Sequence, residues 1–223
     1  MTHPCQNAHK LRRFGYLSTC HKRQGITIHP RPDQRHARYD DVPALKEIIT
    51  TELNIEGYPT DEFLKVVIDN LPHQCTLVPD LPGALTSDTG WETVKHFDYL
   101  KDIVGLLQSH KIRVSLFIDP IEERLQAAKE LGTDRIEFYT GPYAHDFYKN
   151  RDAAIKDFAI ASSTCHALSL GVNAGHDLNL DNLKFFKLHL PNLLEVSIGH
   201  ALITDALYYG LKNTIQMYRA QLV

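Results

Sequence analysis

A rhythm along this chain limits what it can fold into more than any other feature. Seven short runs rich in apolar and β-branched residues recur: GITIHP (25–30), LNIEGY (53–58), QCTLVPD (74–80), RVSLFID (113–119), RIEFYTG (135–141), LGVNAGH (170–176) and LLEVSIGH (193–200). Their starts lie 28, 21, 39, 22, 35 and 23 residues apart. Helix-like stretches fill the gaps, so the order reads strand, helix, strand. Repeated units of this kind make neighbouring strands parallel, joined by right-handed crossovers. An open doubly wound sheet and a closed (β/α)₈ barrel both satisfy that rule. The chain does not start with a Gly-rich dinucleotide turn, which argues against the open sheet. The expected fold is therefore α/β, a TIM (β/α)₈-type barrel. Its first β/α unit is lacking or altered, because the eighth strand would have to lie before Gly25.

The helices carry their own signals. Residues 43–52 form the first, with Pro43 near its start. Thr60 is an N-cap for a helix whose apolar face is Phe63, Leu64, Val67 and Ile68. A third spans 98–109. Asp119-Pro120-Ile121-Glu122 combines a cap residue with Pro and Glu in the first turn, and Gly132 ends that helix. Residues 151–169, 181–190 and 202–221 give three more.

Residues 1–24 do not share the rhythm. They are polar and basic, Pro4 and Gly15 interrupt any helix, and the segment is expected to be irregular. Residues 25–223 are expected to form a single barrel domain. The formal net charge of -3 gives no general basis for nucleic-acid binding, although a local basic cluster can hold a small anion. Cys5, Cys20, Cys75 and Cys165 form no CxxC, the pattern of a reduced, cytoplasmic protein. No apolar run reaches the ~18 residues of a membrane span, and the N-terminus has no apolar signal-peptide core.

In a barrel all strand C-termini open on one face, where chemistry is placed. The first strand feeds a Pro-broken loop with His29, Arg31, Arg35 and His36. Later strand ends contribute Glu56, Asp80, Asp119, Glu137, Thr140, Asn173, His176, Glu195, Ser197 and His200. Glu56 has apolar or small neighbours in LNIEG. Pointing into a barrel mouth, it is expected to be partly desolvated, with a raised pKa suited to a general base; the structural alternative is an ion pair with a barrel Arg or Lys. His29 and His176 each end a strand and are candidate acid/base groups, with hydrogen-bonded structural histidines as the alternative. Metal ligation by His29, His36 and His176 is disfavoured, because the spacing is not that of zinc motifs and the nearby arginines repel a cation. Arg31, Arg35 and Arg38 form a solvated loop or an anion clamp, since Arg matches phosphate bidentately. Ser197-Ile198-Gly199-His200 and Gly171–Asp177 each lead into a helix, where backbone N–H groups face an anion. Together they point to a phosphorylated substrate.

HPRPDQRH, NIEG, TLVPD, VSLFID, RIEFYTGPYA, VNAGHDLNLDNL and EVSIGHALI resemble, in combination and in order, the pyridoxine 5′-phosphate synthase family. The resemblance runs from about Gly25 to the C-terminus. It implies condensation of 3-amino-2-oxopropyl phosphate with 1-deoxy-D-xylulose 5-phosphate, ring closure to a pyridine, and release of phosphate and water. It implies no metal, no organic cofactor, no nucleic-acid or membrane partner, and a homo-oligomer, an octamer in the family. By motif, His29, Glu56 and His176 match the family's catalytic residues. Arg31, His36 and Thr86 match positions that bind the deoxyxylulose phosphate. Asp177, Gly199 and His200 match the region that binds the aminooxopropyl phosphate and the product, and Glu137 a carboxylate near the reacting centre. The chain departs from the family at its front. Residues 1–24 show neither the family's first strand, of the type VNI(D/N), nor its first helix, and Asn7, His9 and Arg12 are not assigned the roles found there. Two other readings follow: a metal-dependent sugar-phosphate isomerase or aldolase, and a homologue impaired by its altered N-terminus.

Overall fold

The computed structural model describes residues 25–34, 37–80 and 87–223. The expectations placed on residues 1–24, Arg35, His36 and Thr86 lie outside the described residues. Among those described, seven strands follow one another in a single sheet in chain order. They are β1 (Gly25–Ile28), β2 (Glu52–Gly57), β3 (Gln74–Leu77), β4 (Arg113–Ile118), β5 (Arg135–Tyr139), β6 (Gly171–Gly175) and β7 (Leu193–Ser197). The helices between and after them are α1 (Asp41–Ile48), α2 (Asp61–Asn70), α3 (Phe97–Ser109), α4 (Glu122–Glu130), α5 (Gly141–Ala167), α6 (Leu183–His189), α7 (His200–Tyr209) and α8 (Leu211–Ala220). Parallel strands in sequential order with intervening helices are the architecture of the TIM-type α/β barrel class. Backbone contacts divide the chain into two compact units: Met1–Ser87 with Gly105–Val114, and Asp88–Val104 with Ser115–Val223.

In the first unit, β1 pairs with β2 and β2 with β3, all parallel. Period-two alternation sorts β2 into two faces. Leu53 and Ile55 join Val42, Leu45, Phe63 and Val67 in a core where none is more than 2% exposed. Burying each such side chain contributes about 1.5–3 kcal/mol. Glu52, Asn54 and Glu56 occupy the other face. Gly57 is needed because a Cβ there would stand 2.2 Å from the Phe63 ring. The Thr60 hydroxyl accepts from the Phe63 amide at 3.2 Å, as the sequence predicts for an N-cap.

In the second unit, β4–β5, β5–β6 and β6–β7 are parallel pairs. Ile136 and Phe138 are wholly buried, while Arg135, Glu137 and Tyr139 lie on the opposite face of β5 by the same alternation. Phe138, Phe158, Tyr143 and Phe186 pack edge-on, with centroids 5.6–6.1 Å apart between Phe158 and each of the others. Such pairs add about 0.5–1.5 kcal/mol beyond their buried area.

Several helix boundaries differ from the sequence expectation. The first helix runs Asp41–Ile48 rather than over 43–52, because β2 takes Glu52. Ile121, not Asp119, is the N-cap of α4. The Asp119 carboxylate instead accepts from the Gly90 amide at 3.2 Å and pairs with Arg124 at 2.5 Å. α5 begins ten residues before the expected 151, at Gly141, and is broken at Asn150 (φ -158°, ψ 93°). Gly141 closes a strand run in sequence, yet Pro142 is well placed in a first helical turn. The closing helix is two, split at Gly210, whose φ of +76° ends α7. Gly132 does follow α4 at φ +84°, as expected of a C′ glycine.

The charged residues at the strand starts are structural. Arg113, opening β4, pairs with Glu52, opening β2, at 2.6 Å and donates to Gln74 at 2.9 Å. Arg135, opening β5, pairs with Glu195 at 3.1 Å. Glu195, one of the polar residues collected along the strands, is the partner in this ion pair.

Candidate active site

The first unit gathers His29, Arg31 and Glu56. His29 immediately follows β1 and Glu56 is the penultimate residue of β2, so parallel pairing puts them on neighbouring strand ends. Their Nδ1 and Oε2 atoms are 4.0 Å apart, with 21% and 15% of each side chain exposed. Asn54 orients the carboxylate: its Nδ2 donates to Glu56 Oε1 and to Thr27 Oγ1, both at 3.3 Å. The Thr76 hydroxyl in turn donates to Asn54 Oδ1 at 3.2 Å. Thr76 and Asn54 are buried, so this chain of hydrogen bonds holds its members in one arrangement. Burial first, and then the Glu56 charge, pushes the neighbouring Cys75 thiol pKa far up, which keeps it neutral.

Arg31 Nη2 lies 3.2 Å from Asp80 Oδ2, in a pair that is 14% and 7% exposed. The Ser87 hydroxyl donates to the same Asp80 oxygen. Asp80 thus fixes the guanidinium direction from the end of β3. His29, Arg31, Tyr39, Tyr58 and Asp80 line a pocket with about 370 Å³ of open space. Glu56 stands 4.0 Å from His29 beside this pocket, so a base, an imidazole and an oriented guanidinium come together where a proton can move next to a bound anion.

The second unit gathers Glu137, His176 and Asp177, with Gly199 and His200 one strand away. Glu137 is buried on β5, and Gly175 makes room for it: a Cβ there would stand 2.2 Å from Glu137 Oε1. The His176 ring meets Tyr139 edge-on at 5.3 Å and Phe117 at 6.2 Å. Burial, followed by Asp177, Asp88 and Asp119, raises the Tyr139 pKa, so that wall stays uncharged. His176 Nδ1 is 3.6 Å from Asp177 Oδ2. His176 and Asp177 both have left-handed backbones, φ +87° and +57°. For a residue with a Cβ that conformation costs roughly 1–2 kcal/mol. Gly175 pairs with Ser197, so the segments after β6 and β7 leave adjacent strand ends. Gly199 and His200 are exposed there at the start of α7.

Sequence reasoning missed Asn54, which orients Glu56, and left Asp80 as one strand-end carboxylate among several. It also missed Asn182, which is buried and donates to the Asp177 carbonyl at 3.2 Å. Asn54 had a usable signal: a polar residue two before Glu56 shares its strand face. Asn182 had none, because its partner is a backbone atom. Among the described residues no group of three His, Cys, Asp or Glu side chains is placed to hold a metal ion, and no helix is long and apolar enough to cross a membrane.

Comparison with known proteins bears on this arrangement. The profile of a family described as pyridoxal phosphate biosynthesis protein PdxJ matches residues 11–223. Pyridoxine 5′-phosphate synthase of Cytophaga hutchinsonii is 53% identical over 199 residues, 89% of this chain and 84% of that protein. The enzyme of the same name from Parabacteroides distasonis is 54% identical over 197 residues, 88% of this chain and 83% of that protein. Among solved structures, a 4-hydroxy-2-oxoglutarate aldolase/2-deydro-3-deoxyphosphogluconate aldolase superposes with a TM-score of 0.65 at 12% identity, over 96% of this chain and 88% of that one. Phosphoribosylanthranilate isomerase of Thermotoga maritima superposes with a TM-score of 0.60 at 10% identity, over 94% and 92%. At such identities these two share the fold and nothing more is drawn from them.

Proposed function

This chain belongs to the PdxJ family of pyridoxal phosphate biosynthesis proteins, and from that premise we propose how it works as a pyridoxine 5′-phosphate synthase. It condenses 3-amino-2-oxopropyl phosphate with 1-deoxy-D-xylulose 5-phosphate and releases phosphate and water. Imine formation, enolisation, dehydration and ring closure each move protons at several atoms, and positioned acids and bases accelerate such a step by about 10²–10⁴. The observation that carries the assignment is the apposition of His29 and Glu56 at 4.0 Å beside Arg31. Glu56 acts as the base, and its low exposure supports that role. His29 passes protons between Glu56 and substrate oxygens. His176 supplies the second imidazole, for dehydration and closure, with Glu137 the buried carboxylate beside it. Arg31, held by Asp80, binds the sugar phosphate together with His36 and Thr86. Gly199 and His200 face the other phosphate, and Asp177 lies in the region that receives the aminooxopropyl phosphate and the product. Two anchored phosphates convert a bimolecular condensation into a positioned one.

The proposal needs no metal or organic cofactor. It includes a transferase-type reaction, a homo-oligomer and a cytoplasmic location; the free, buried thiols of Cys75 and Cys165 support the last. The test is turnover: the full chain is mixed with both substrates, with and without EDTA, and product is followed by absorbance. EDTA-resistant product is expected. A folded chain giving no product, or product only with added metal, overturns the proposal.

A further inference from the structure

The turn that carries His176 is held by a residue to which no role has been given. Thr140 stands at the N-cap of α5, where a threonine side chain ordinarily accepts a bond from the first helical turn. Here it makes no such bond. Its buried hydroxyl is turned the other way and shares one proton between the carbonyls of Gly175, at 2.7 Å, and His176. The contact is not needed to join β5 to β6. The Thr140 backbone N–H already reaches the Gly175 carbonyl at 3.0 Å, and the strands pair from Arg135 to Tyr139 without it. What the hydroxyl adds is a grip on the peptide of His176, at the first of two consecutive left-handed residues that are not glycine. A strained conformation of that kind persists only where its surroundings over-determine it, and strain gathers at functional positions. Asn182 supplies a second grip at Asp177, and the Tyr143 hydroxyl holds Asn182 by donating to its carbonyl at 2.7 Å.

We propose that Thr140 is a positioning residue: its hydroxyl holds the left-handed turn that aims the His176 imidazole against Phe117 and Tyr139. This rests on the reading of His176 as an acid/base group. Thr140→Val keeps the shape and the backbone bond and removes the hydroxyl, whereas Thr140→Ser keeps the hydroxyl. T140V is expected to lower kcat roughly tenfold, the order of effect of a small misplacement of a catalytic group. KM for both substrates should stay within about twofold, and T140S should restore kcat. In a His176→Ala background T140V should cost nothing further, because residues acting as one unit are not additive. The His176 imidazole NMR signals, assigned by their loss in H176A, should move in ligand-free T140V and return in T140S; a merely architectural role leaves them in place. If T140V does not fold, Thr140→Ala, which also removes the hydroxyl, carries the test, with a fall in kcat of roughly tenfold that vanishes in the H176A background. Wild-type kcat and unmoved signals in T140V, or an equal loss with and without His176, overturns the inference alone. Wild-type kcat in H176A overturns the reading of His176 and the inference with it.

Discussion

The two units hold their functional side chains by different means. In the first, side chains fix side chains: Thr76 holds Asn54, Asn54 holds Glu56, and Asp80 holds Arg31. In the second, the backbone is shaped first and the side chain follows. His176 and Asp177 sit in a left-handed turn gripped at their carbonyls, and Glu137 fits because Gly175 has no Cβ. The lesson concerns substitutions. The first unit should be sensitive to a change of charge at constant shape, the second to a change of shape at constant charge.

The strongest way to break that contrast is Glu56→Gln. It preserves size and the bond from Asn54 but removes the base, so kcat should fall by about 10³ while the thermal midpoint stays within a few degrees. Near-normal turnover by steady-state assay would end the base role of Glu56. Gly175→Ala asks the converse question in the second unit. No charge changes, but the new Cβ must displace the end of the Glu137 side chain, which is flexible enough to yield. A roughly tenfold loss of kcat is expected, with a stability cost of about 1 kcal/mol by denaturant titration. Full activity would show that Glu137 need not sit where it does. Arg31→Lys gives the smallest effect. The point charge still pairs with Asp80 but loses the two-pronged fit to phosphate, so the sugar phosphate should bind several-fold more weakly in calorimetry. An unchanged Kd would remove Arg31 as the clamp.

The sequence by itself determined the class of fold, because that class follows from local periodicity. Each strand run observed here begins within a residue of where the pattern puts it, from Gly25 to Leu193. Thr60 and Gly132 were legible because capping depends on a few neighbouring residues. His29 and Glu56 were legible as strand-end residues brought together by parallel pairing, and His176 as the residue that ends its strand. Asp119 read as a cap and is an ion-pair partner. For Asp119 the Gly90 amide, distant in sequence, also claims the carboxylate that a helix cap would have used. Gly141 read as the end of a strand run and starts α5. Glu195 read as one strand-end carboxylate among several, and its partner Arg135 lies sixty positions away in the chain. Only the tertiary structure decided that Asn54 and Asp80 orient Glu56 and Arg31, and that Thr140 turns away from its own helix toward the backbone of His176. Those choices depend on side-chain direction and on which backbone atoms come within about 3 Å, and periodicity carries neither.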